Sequence, residues 1–454
     1  MGIQNIIFGI IALATFFFAG KAFWRIRRNI NFGKDEATPA GQRAERAKNT
    51  LLIALGQKKM FARPVAATLH LFIYAAFLVT QIELLDIFVD GVFGTHRFFY
   101  PYLGGFYTFI ISFIEILSVL ALIATIAFIA RRHIIKLARF QSPELKGSPT
   151  KDALTILIAE IFLITFIFLM NTADMANTNG QYGFLVSGWV YEIWYSLGVK
   201  SPEAFHIIER IGWWGHILMV FAYLNYLPYS KHLHIIFAFP NTYFAKINAK
   251  GEMENMPDIQ KEVASMLDPN AAFDAPSENM EMPKFGAKDI FDLSWKQMLA
   301  AYTCTECGRC TSSCPANLTG KALSPRKIMM DIRDRAEEVA VNIDANKTEF
   351  IKAELKTETS VLTKANYDDG RNLFSYITEA ELRACTTCNA CVEACPVLIS
   401  PLDIIVELRR NLILEQSKSP ESWNSMFNAI DNNGAPWAFP RDDRDKWIAE
   451  AIKS

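Results

Sequence analysis

Five long apolar segments constrain the fold of this chain more than any other feature of its sequence. Each has roughly 20 residues or more, the length that an α-helix needs to cross a lipid bilayer. Basic residues follow the first segment and do not precede it, so this segment is predicted to be a membrane span and not a cleavable signal peptide. The predicted spans cover about residues 3–23, 64–89, 103–130, 151–173 and 211–237.

The charges of the connecting loops predict how the spans are oriented. The loops at 24–63 and 131–151 contain ten and six Lys/Arg, whereas the loops at 90–102 and 174–210 contain one and two. Loops rich in Lys/Arg stay in the cytoplasm. The N-terminus is therefore predicted to lie outside, and the second half of the chain in the cytoplasm, with the protein in the cytoplasmic (inner) membrane.

All eight cysteines lie in two runs, 304–314 and 385–395, with the pattern Cys-x2-Cys-x2-Cys-x3-Cys-Pro. This pattern is unlike a disulfide scaffold. It is typical of two [4Fe-4S] clusters, in which the fourth cysteine of each run ligates the other cluster. Structural zinc is the alternative, but zinc usually takes two separated Cys-x2-Cys pairs. The predicted ligand sets are Cys304, Cys307, Cys310 and Cys395 for one cluster, and Cys385, Cys388, Cys391 and Cys314 for the other.

Helix signals after each cysteine run predict that the soluble half is helical. Ser324-Pro325 and Ser400-Pro401 have the residues preferred at the N-cap and the first helical position. The acidic, Pro- and Asn-containing stretch before this half reads as a linker. The predicted fold is all-α: a five-transmembrane-helix bundle (1–245), a linker (246–292), and a cytoplasmic α-helical ferredoxin-like domain with two [4Fe-4S] clusters (293–454).

Three histidines within the apolar segments are candidate cofactor ligands: His70, His216 and His234. Histidine is costly inside a membrane and indicates a site. If the fifth segment is one helix, His216 and His234 lie on one face, five turns and about 27 Å apart, whereas His232 points elsewhere. The second span starts at the cytoplasm and the fifth outside, so His70 and His234 share one depth, as a six-coordinate haem b needs. Alternatively, these side chains only hydrogen-bond neighbouring helices.

The segment 213–240, WWGHILMVFAYLNYLPYSKHLHIIFAFP, resembles the last span of the gamma subunit of respiratory nitrate reductase and of membrane subunits of heterodisulfide reductase-like complexes. The resemblance implies that His70 and His234 ligate a haem b on the cytoplasmic side. In that family a second histidine lies ten residues after the first in the second span, and Thr80 stands there in this chain. A second haem would need another partner for His216, which alternatively contacts a quinone. The candidates for that partner are His206, His96, Met170 and Met175.

The soluble half resembles the helical two-cluster subunit of heterodisulfide reductase and the iron-sulfur subunits of related quinone-linked enzymes over nearly its whole length. One departure is the tail, where the family's Asn-Pro-Trp-Gly is replaced by Ala435, Pro436, Trp437 and Ala438. Many fused relatives continue into a cysteine-rich catalytic domain, whereas this chain ends at Ser454. The resemblance therefore implies a separate cytoplasmic partner, either a subunit with that cysteine-rich domain or an electron-transfer flavoprotein.

The predicted function is that of a membrane-bound oxidoreductase subunit. It passes electrons between a cytoplasmic redox partner, two [4Fe-4S] clusters, haem b and a membrane quinone, either menaquinone or ubiquinone. No Gly-x-Gly-x-x-Gly loop or nucleophile elbow indicates substrate chemistry in this chain. With 46 basic and 47 acidic residues, nothing indicates nucleic-acid binding. The alternative is a redox anchor or sensor that docks a soluble oxidoreductase to the membrane and does not react with quinone.

The quinone pocket is predicted near His216 and the aromatic segment 189–197, although such aromatics also form interfacial belts. Acidic residues within or beside the spans have two interpretations. They are either proton relays and quinone contacts or neutral carboxyls that hydrogen-bond between helices. These residues are Glu83, Asp86, Glu115 and Glu160.

Overall fold

The chain is almost entirely helical in the computed structural model, as its sequence predicts. The structure describes residues 2–36, 41–249, 251–267, 284–357, 359–438 and 440–453. Helices account for 72% of the structure, and the described residues contain no β-strand.

Four helices in the described part of the chain are long and apolar enough to cross a membrane. They correspond to the first four predicted segments, although the third helix begins two residues later than predicted, and apolar side chains such as Phe17 and Ile123 are exposed on their outer faces. The chain is therefore a membrane protein. The four helices are α1 (Ile3–Ile30), α2 (Pro64–Phe93), α3 (Gly105–His133) and α4 (Ser148–Thr178).

The fifth predicted segment is not one continuous helix. After the shorter α5 (Leu185–Ser196), α6 (Pro202–Tyr226) ends inside the segment, and α7 (His234–Phe244) begins eight residues later. Pro228 has no N–H to donate, and the Ser230 hydroxyl accepts the N–H of His232 in a 3-10 turn, so the α-helical hydrogen bonding stops.

This helix break corrects two predictions. The segment 211–237 does not form one straight span, and a count of five spans is not confirmed. His216 and His234 lie on different helices, so they do not share one helix face. The separation of about 27 Å assumed an unbroken helix of 18 residues, which the structure does not contain.

Small and aromatic residues set the packing of α6 in the bundle. A Cβ added at Gly212 would lie 2.5 Å from the backbone nitrogen of Met170, so only glycine allows α6 to approach α4 this closely. On its other side, α6 meets α1 where the rings of Phe8 and Trp213 have centroids 5.7 Å apart.

The soluble half is a helical domain built around its two cysteine runs. The hydroxyls of Ser324 and Ser400 cap their helices, and Pro325 and Pro401 occupy the first helical positions, so both predicted helix starts are confirmed. The helices of this half that flank the cysteine runs are α8 (Trp295–Thr303), α9 (Pro325–Asp344) and α10 (Pro401–Arg410). The other α-helices among the described residues are Arg43–Asn49, Tyr100–Leu103, Pro257–Leu267, Pro315–Leu318, Glu379–Arg383, Ala390–Ala394, Glu421–Asn433 and Lys446–Lys453.

The predicted linker is described only in part. It contains the helix Pro257–Leu267, and residues 268–283 lie outside the described residues. Its last part packs within the soluble half, because Ala287 and Ile290 are fully buried and the Ala287 N–H donates to the Glu407 carbonyl at 3.0 Å. The domain boundaries at 245 and 292 remain predictions.

The soluble half packs directly on one end of the helical bundle, where α1 ends and α2 begins. Ile26 of α1 belongs to the same apolar core as the helices of the soluble half. Ion pairs join Arg25 to Asp344 at 3.0 Å and the fully buried Arg326 to Glu144 at 2.7 Å. The soluble half therefore lies on the side of the basic loops 24–63 and 131–151.

A buried arginine forms ion pairs that connect the start of the soluble half to the core of that half. Arg335 of α9 is fully buried and pairs with Asp289 at 2.9 Å and with Asp369 at 2.6 Å. Arg335→Met leaves two carboxylates inside the domain without their cation. Breaking a buried pair typically costs about 3–5 kcal/mol, and we expect a loss of this size in the free energy of unfolding, measured by chemical denaturation in detergent.

The control for this variant is Arg371→Met. Arg371 pairs with Glu338, and the Arg371 side chain is 49% exposed. An exposed pair contributes about 1 kcal/mol or less. Equal losses in the two variants would show that the Arg335 pairs do not hold the domain together.

Candidate metal centres

The two cysteine runs fold around two neighbouring cavities. Three thiols of one run and the fourth thiol of the other line each cavity, the same grouping that the spacing predicts. The first-run cavity is lined by Cys304, Cys307, Cys310 and Cys395. The second-run cavity is lined by Cys385, Cys388, Cys391 and Cys314.

The donor set of both cavities suits iron-sulfur clusters. Thiolates are the ligands that such clusters use, and all eight cysteines are free. Backbone N–H groups of Thr387 and Ile399 donate to the Sγ atoms of Cys385 and Cys395 at 3.4 and 3.3 Å. Burial raises the pKa of the Cys395 thiol to about 11, so bound iron is needed to hold it as a thiolate. The individual ligand assignments stay predictions.

The two runs share one local backbone but differ in charge. Glu306 in the first run and Thr387 at the equivalent position of the second both adopt left-handed conformations, with φ of 55° and 56°. Three residues later, the first run has Arg309 and the second has Ala390. The internal repeat is therefore structural. Only the first run has charged residues at these two positions.

The two cavities also have different surroundings. Beside the first-run cavity, Arg309 donates to the carbonyl of Met60 just before α2, at 3.2 Å. Asn241 of α7 donates to the carbonyl of Val397, another lining residue, at 2.7 Å. Cys388 of the second-run cavity is exposed. The first-run cavity thus adjoins the membrane helices, whereas the second-run cavity reaches the outer surface.

His70 and His234 face each other where the membrane helices meet the soluble half. Their ring centroids are 6.4 Å apart. The Nδ1 of His70 lies 3.1 Å from the Gln57 side-chain oxygen, and that of His234 lies 2.9 Å from the Lys231 carbonyl. Both Nδ1–H groups therefore have acceptors, which leaves both Nε2 atoms for a metal, as is usual for ligating histidines.

The spacing of this pair fits one metal between the two rings. Metal–imidazole bonds of about 2 Å on each side place the ring centres roughly 6 Å apart. His232 lies close by, with its ring 5.7 Å from that of His234, but its buried Nδ1 has no hydrogen-bond partner among the described residues. The tautomer of His232 is thus not fixed by a hydrogen bond, unlike those of His70 and His234. The 3-10 turn explains why His232 is nearer than helical spacing predicts.

His216 lies apart from this pair, buried in the bundle. Its Nδ1 is 3.1 Å from the carbonyl of Leu163 on α4. The four residues proposed as its partner in a second haem have other surroundings, so these contacts do not support a second haem. The Nε2 of His96 bonds Asp174 at 3.0 Å, Met170 lies against Gly212, Met175 lies against Gly180, and His206 is exposed.

Sequence reasoning missed a buried ionic cluster at the far end of the bundle. Arg97 is 3% exposed and donates to Glu83 and Asp174, each at 3.0 Å. Asp86 accepts from Tyr107 at 2.5 Å. The only signal was a single arginine in a short loop that follows a span with three acidic residues.

The other predicted contacts in the bundle have simpler surroundings. Glu115 accepts the N–H of Val186 at 2.7 Å near the start of α5, and Glu160 is half-buried. Most of the aromatic segment 189–197 forms part of α5, where Trp189 is exposed. That exposure suits an interfacial position at the membrane surface.

Residues 303–399 match the model of a family described as a 4Fe-4S dicluster domain. This range contains all eight cysteines. The match supports two [4Fe-4S] clusters in the soluble half, as the cysteine spacing predicts.

Relatives among characterised proteins are iron-sulfur oxidoreductases. The chain is 28% identical to the probable iron-sulfur-binding oxidoreductase FadF of Bacillus subtilis, over 87% of the chain and 54% of that protein. It is 25% identical to the EtfAB:quinone oxidoreductase of Syntrophomonas wolfei, over 97% of the chain and 58% of that protein. It is 27% identical to one subunit of the ferredoxin/F(420)H(2)-dependent CoB-CoM heterodisulfide reductase of Methanosarcina acetivorans, over 30% of the chain and 60% of that protein.

The chain thus spans between half and three fifths of the first two relatives. No solved structure matches it. The prediction of an iron-sulfur oxidoreductase subunit is confirmed, whereas haem b and the likeness to a nitrate reductase gamma subunit remain predictions.

Proposed function

We propose that this chain is a membrane-bound electron-transfer subunit that connects a cytoplasmic redox partner with a membrane quinone. The observation that carries the proposal is the pair of His70 and His234, whose ring centroids are 6.4 Å apart and which Lys231 and Glu306 connect to the first run. Haem b and two [4Fe-4S] clusters, when bound, supply one-electron carriers. Electrons that move between the aqueous partner and the membrane quinone need a carrier at the junction between the soluble half and the bundle.

The chain's own residues bind and orient these groups. The Gln57 side chain and the Lys231 carbonyl hold the two imidazoles in one tautomer, with Nδ1 as the donor. His216, buried in the bundle, is the proposed quinone contact. The proposed cluster ligands are Cys304, Cys307, Cys310 and Cys395 for one cluster and Cys385, Cys388, Cys391 and Cys314 for the other.

The orientation and the reaction partners are part of the same proposal. The basic loops 24–63 and 131–151 lie on the side of the soluble half, which supports a cytoplasmic soluble half and an N-terminus outside. One relative is named EtfAB:quinone oxidoreductase, so its name specifies both EtfAB and a quinone. An electron-transfer flavoprotein is therefore the favoured partner for this chain, and a subunit with a cysteine-rich iron-sulfur domain is the other.

Cofactor analysis and quinone reactivity test the proposal together. We expect about eight iron and eight sulfide per chain, as two [4Fe-4S] clusters require, and one haem by pyridine haemochrome. In inverted membrane vesicles, which expose the cytoplasmic face, a reduced flavoprotein added outside is expected to reduce the haem, and a quinone analogue to reoxidise it. Right-side-out vesicles are the control and should not react with the flavoprotein.

Three results would count against the proposal. A haem that stays reduced with every quinone analogue indicates the redox anchor or sensor. A colourless protein that contains zinc indicates structural metal sites. Iron-sulfur clusters without haem would mean that His70 and His234 only bond neighbouring helices.

A further inference from the structure

A short chain of contacts ties His234 to the first cysteine run. The His234 Nδ1–H donates to the Lys231 carbonyl at 2.9 Å, and the Lys231 ammonium donates to the Glu306 carboxylate at 2.6 Å. Glu306 lies between the first two cysteines of the run. One imidazole of the pair is therefore two contacts away from a residue inside the first run.

A second chain of contacts ties His70 to the same run. The His70 Nδ1–H donates to Gln57 at 3.1 Å, and Gln57 directly precedes the 3-10 turn Lys58–Ala62. In this turn the carbonyls of Lys59 and Met60 accept from the Arg309 guanidinium at 3.3 and 3.2 Å. Arg309 lies between the second and third cysteines, so both imidazoles are connected to the first run.

Burial restricts the movement of the side chains that form both connections. Glu306 and Arg309 are each 4% exposed, and Gln57 is 6% exposed. Glu306 is further paired with Arg333 at 2.8 Å. Charged groups are rarely buried this deeply unless they are paired, and an ion pair shielded from water is stronger and better ordered than an exposed one.

The backbone at two of these positions is also under constraint. Gln57 and Glu306 have φ of 51° and 55°, a left-handed conformation that side-chain-bearing residues rarely adopt. Such conformations persist where the surrounding structure holds them, and they cluster at functional sites. Only the conformation of Gln57 is specific to its connection, because Thr387 of the second run adopts the same conformation as Glu306.

The second run is connected to the turn Lys58–Ala62 differently, because the Lys59 ammonium donates to the backbone carbonyl of Val392 at 3.4 Å. Thr387 and Ala390 occupy the positions equivalent to Glu306 and Arg309 and are uncharged. The Thr387 hydroxyl donates to the carbonyl of its own neighbour Thr386. Thr386 and Cys388 are exposed, so the second run faces outward.

We infer that Glu306 and Arg309 are positioning residues that couple the first run to the site between His70 and His234. The first run then exchanges electrons with this site, and the second run exchanges electrons with the soluble partner. The inference rests on the proposed function. If both clusters and the haem are bound, electrons from the partner's reduced cofactor would pass one at a time through the cluster of the second run and then that of the first to the haem, which His70 and His234 would hold. No bond forms or breaks, and electrons from a quinol would take the same path in reverse.

The test compares Glu306→Gln and Arg309→Gln with Thr387→Gln, the matched position in the second run. Outer contacts of metal-binding histidines typically change affinity or activity by about 10–100-fold. We expect both first-run variants to shift the electron paramagnetic resonance signal and reduction potential of the haem, and to slow its reduction by the clusters about tenfold or more. Thr387→Gln is expected to leave the haem signal, its potential and this internal step unchanged.

A double variant separates a connected path from general damage. If Glu306 acts through Lys231, Glu306→Gln combined with Lys231→Gln shifts the haem signal no further than either change alone. Lys231→Gln lies outside the cysteine run, so it keeps the test valid where a run variant loses its iron. Wild-type haem signals and rates in all first-run and Lys231 variants would overturn the inference and leave the proposed function standing. A wild-type protein without haem would remove the proposed function itself.

Discussion

Replacing His70 or His234 with alanine is expected to abolish the haem absorbance of the purified protein and leave its iron and sulfide content unchanged. The two ring centroids are 6.4 Å apart, and each imidazole would supply one ligand to a haem held between them, so the loss of either ring would remove one protein ligand. The cysteines that line the two cavities are not altered. Pyridine haemochrome spectra together with iron and sulfide analysis measure both quantities in one preparation.

His232→Ala is the matched control, because this ring lies 5.7 Å from that of His234 and its Nδ1 is not held by an acceptor among the described residues. We expect this variant to keep its haem. If His232→Ala lost the haem and His70→Ala kept it, the ligand assignment would be wrong. His216→Ala answers a separate question, because it lowers haem content only where a second haem is present.

Replacing Cys314 with serine is expected to release the thiols of the second run, although Cys314 belongs to the first. Cys314 lines the second-run cavity together with Cys385, Cys388 and Cys391. The loss of one ligand of four should remove about half of the iron. Anaerobic alkylation followed by peptide mass spectrometry identifies which thiols have become free, and the exposed Cys388 is the most accessible reporter.

Cys395→Ser is the reciprocal variant. It should free Cys304, Cys307 and Cys310 and leave the second-run thiols protected, because Cys395 lines the first-run cavity. If each fourth cysteine served its own run, the two alkylation patterns would be reversed. The pair of variants therefore distinguishes exchanged from unexchanged ligands without reference to activity.

The spacing of the cysteines predicts two groups of four thiols, and the same groups line the two cavities, whereas the ligand assignments stay predictions. Four thiols at fixed separations, repeated once in the chain, leave few arrangements around two clusters. The N-caps Ser324 and Ser400 were predictable because their signals lie within four residues. The first four spans were predictable from length and apolarity alone.

The fifth segment was mispredicted because average hydropathy does not register a helix break. Pro228 and the Ser230 cap interrupt the helix without lowering the apolar content of the window. His70 and His234 are nevertheless neighbours, as the depth comparison predicted. The turn before α7 keeps His234 at the end of the bundle where α2 starts.

Long-range contacts of charged residues were beyond sequence reasoning. Arg97 was only a lone basic residue in a loop, and its partner Asp174 is 77 residues away along the chain. Glu306 and Arg309 had no visible role, because their contacts, Lys231 and the turn after Gln57, are more than 70 residues distant. Comparison of the two runs with each other was the one signal in the sequence, since Thr387 and Ala390 stand at the positions of Glu306 and Arg309.

The different surroundings of the two cysteine runs have an evolutionary consequence. Glu306 and Arg309 can change only together with the membrane half, whose Lys231 and Met60 they contact. Thr387 and Ala390 are half-buried and uncharged, beside the exposed Cys388. If the proposed function holds, a lineage could exchange its soluble redox partner by altering the second run, while the first run preserves the connection to the membrane half.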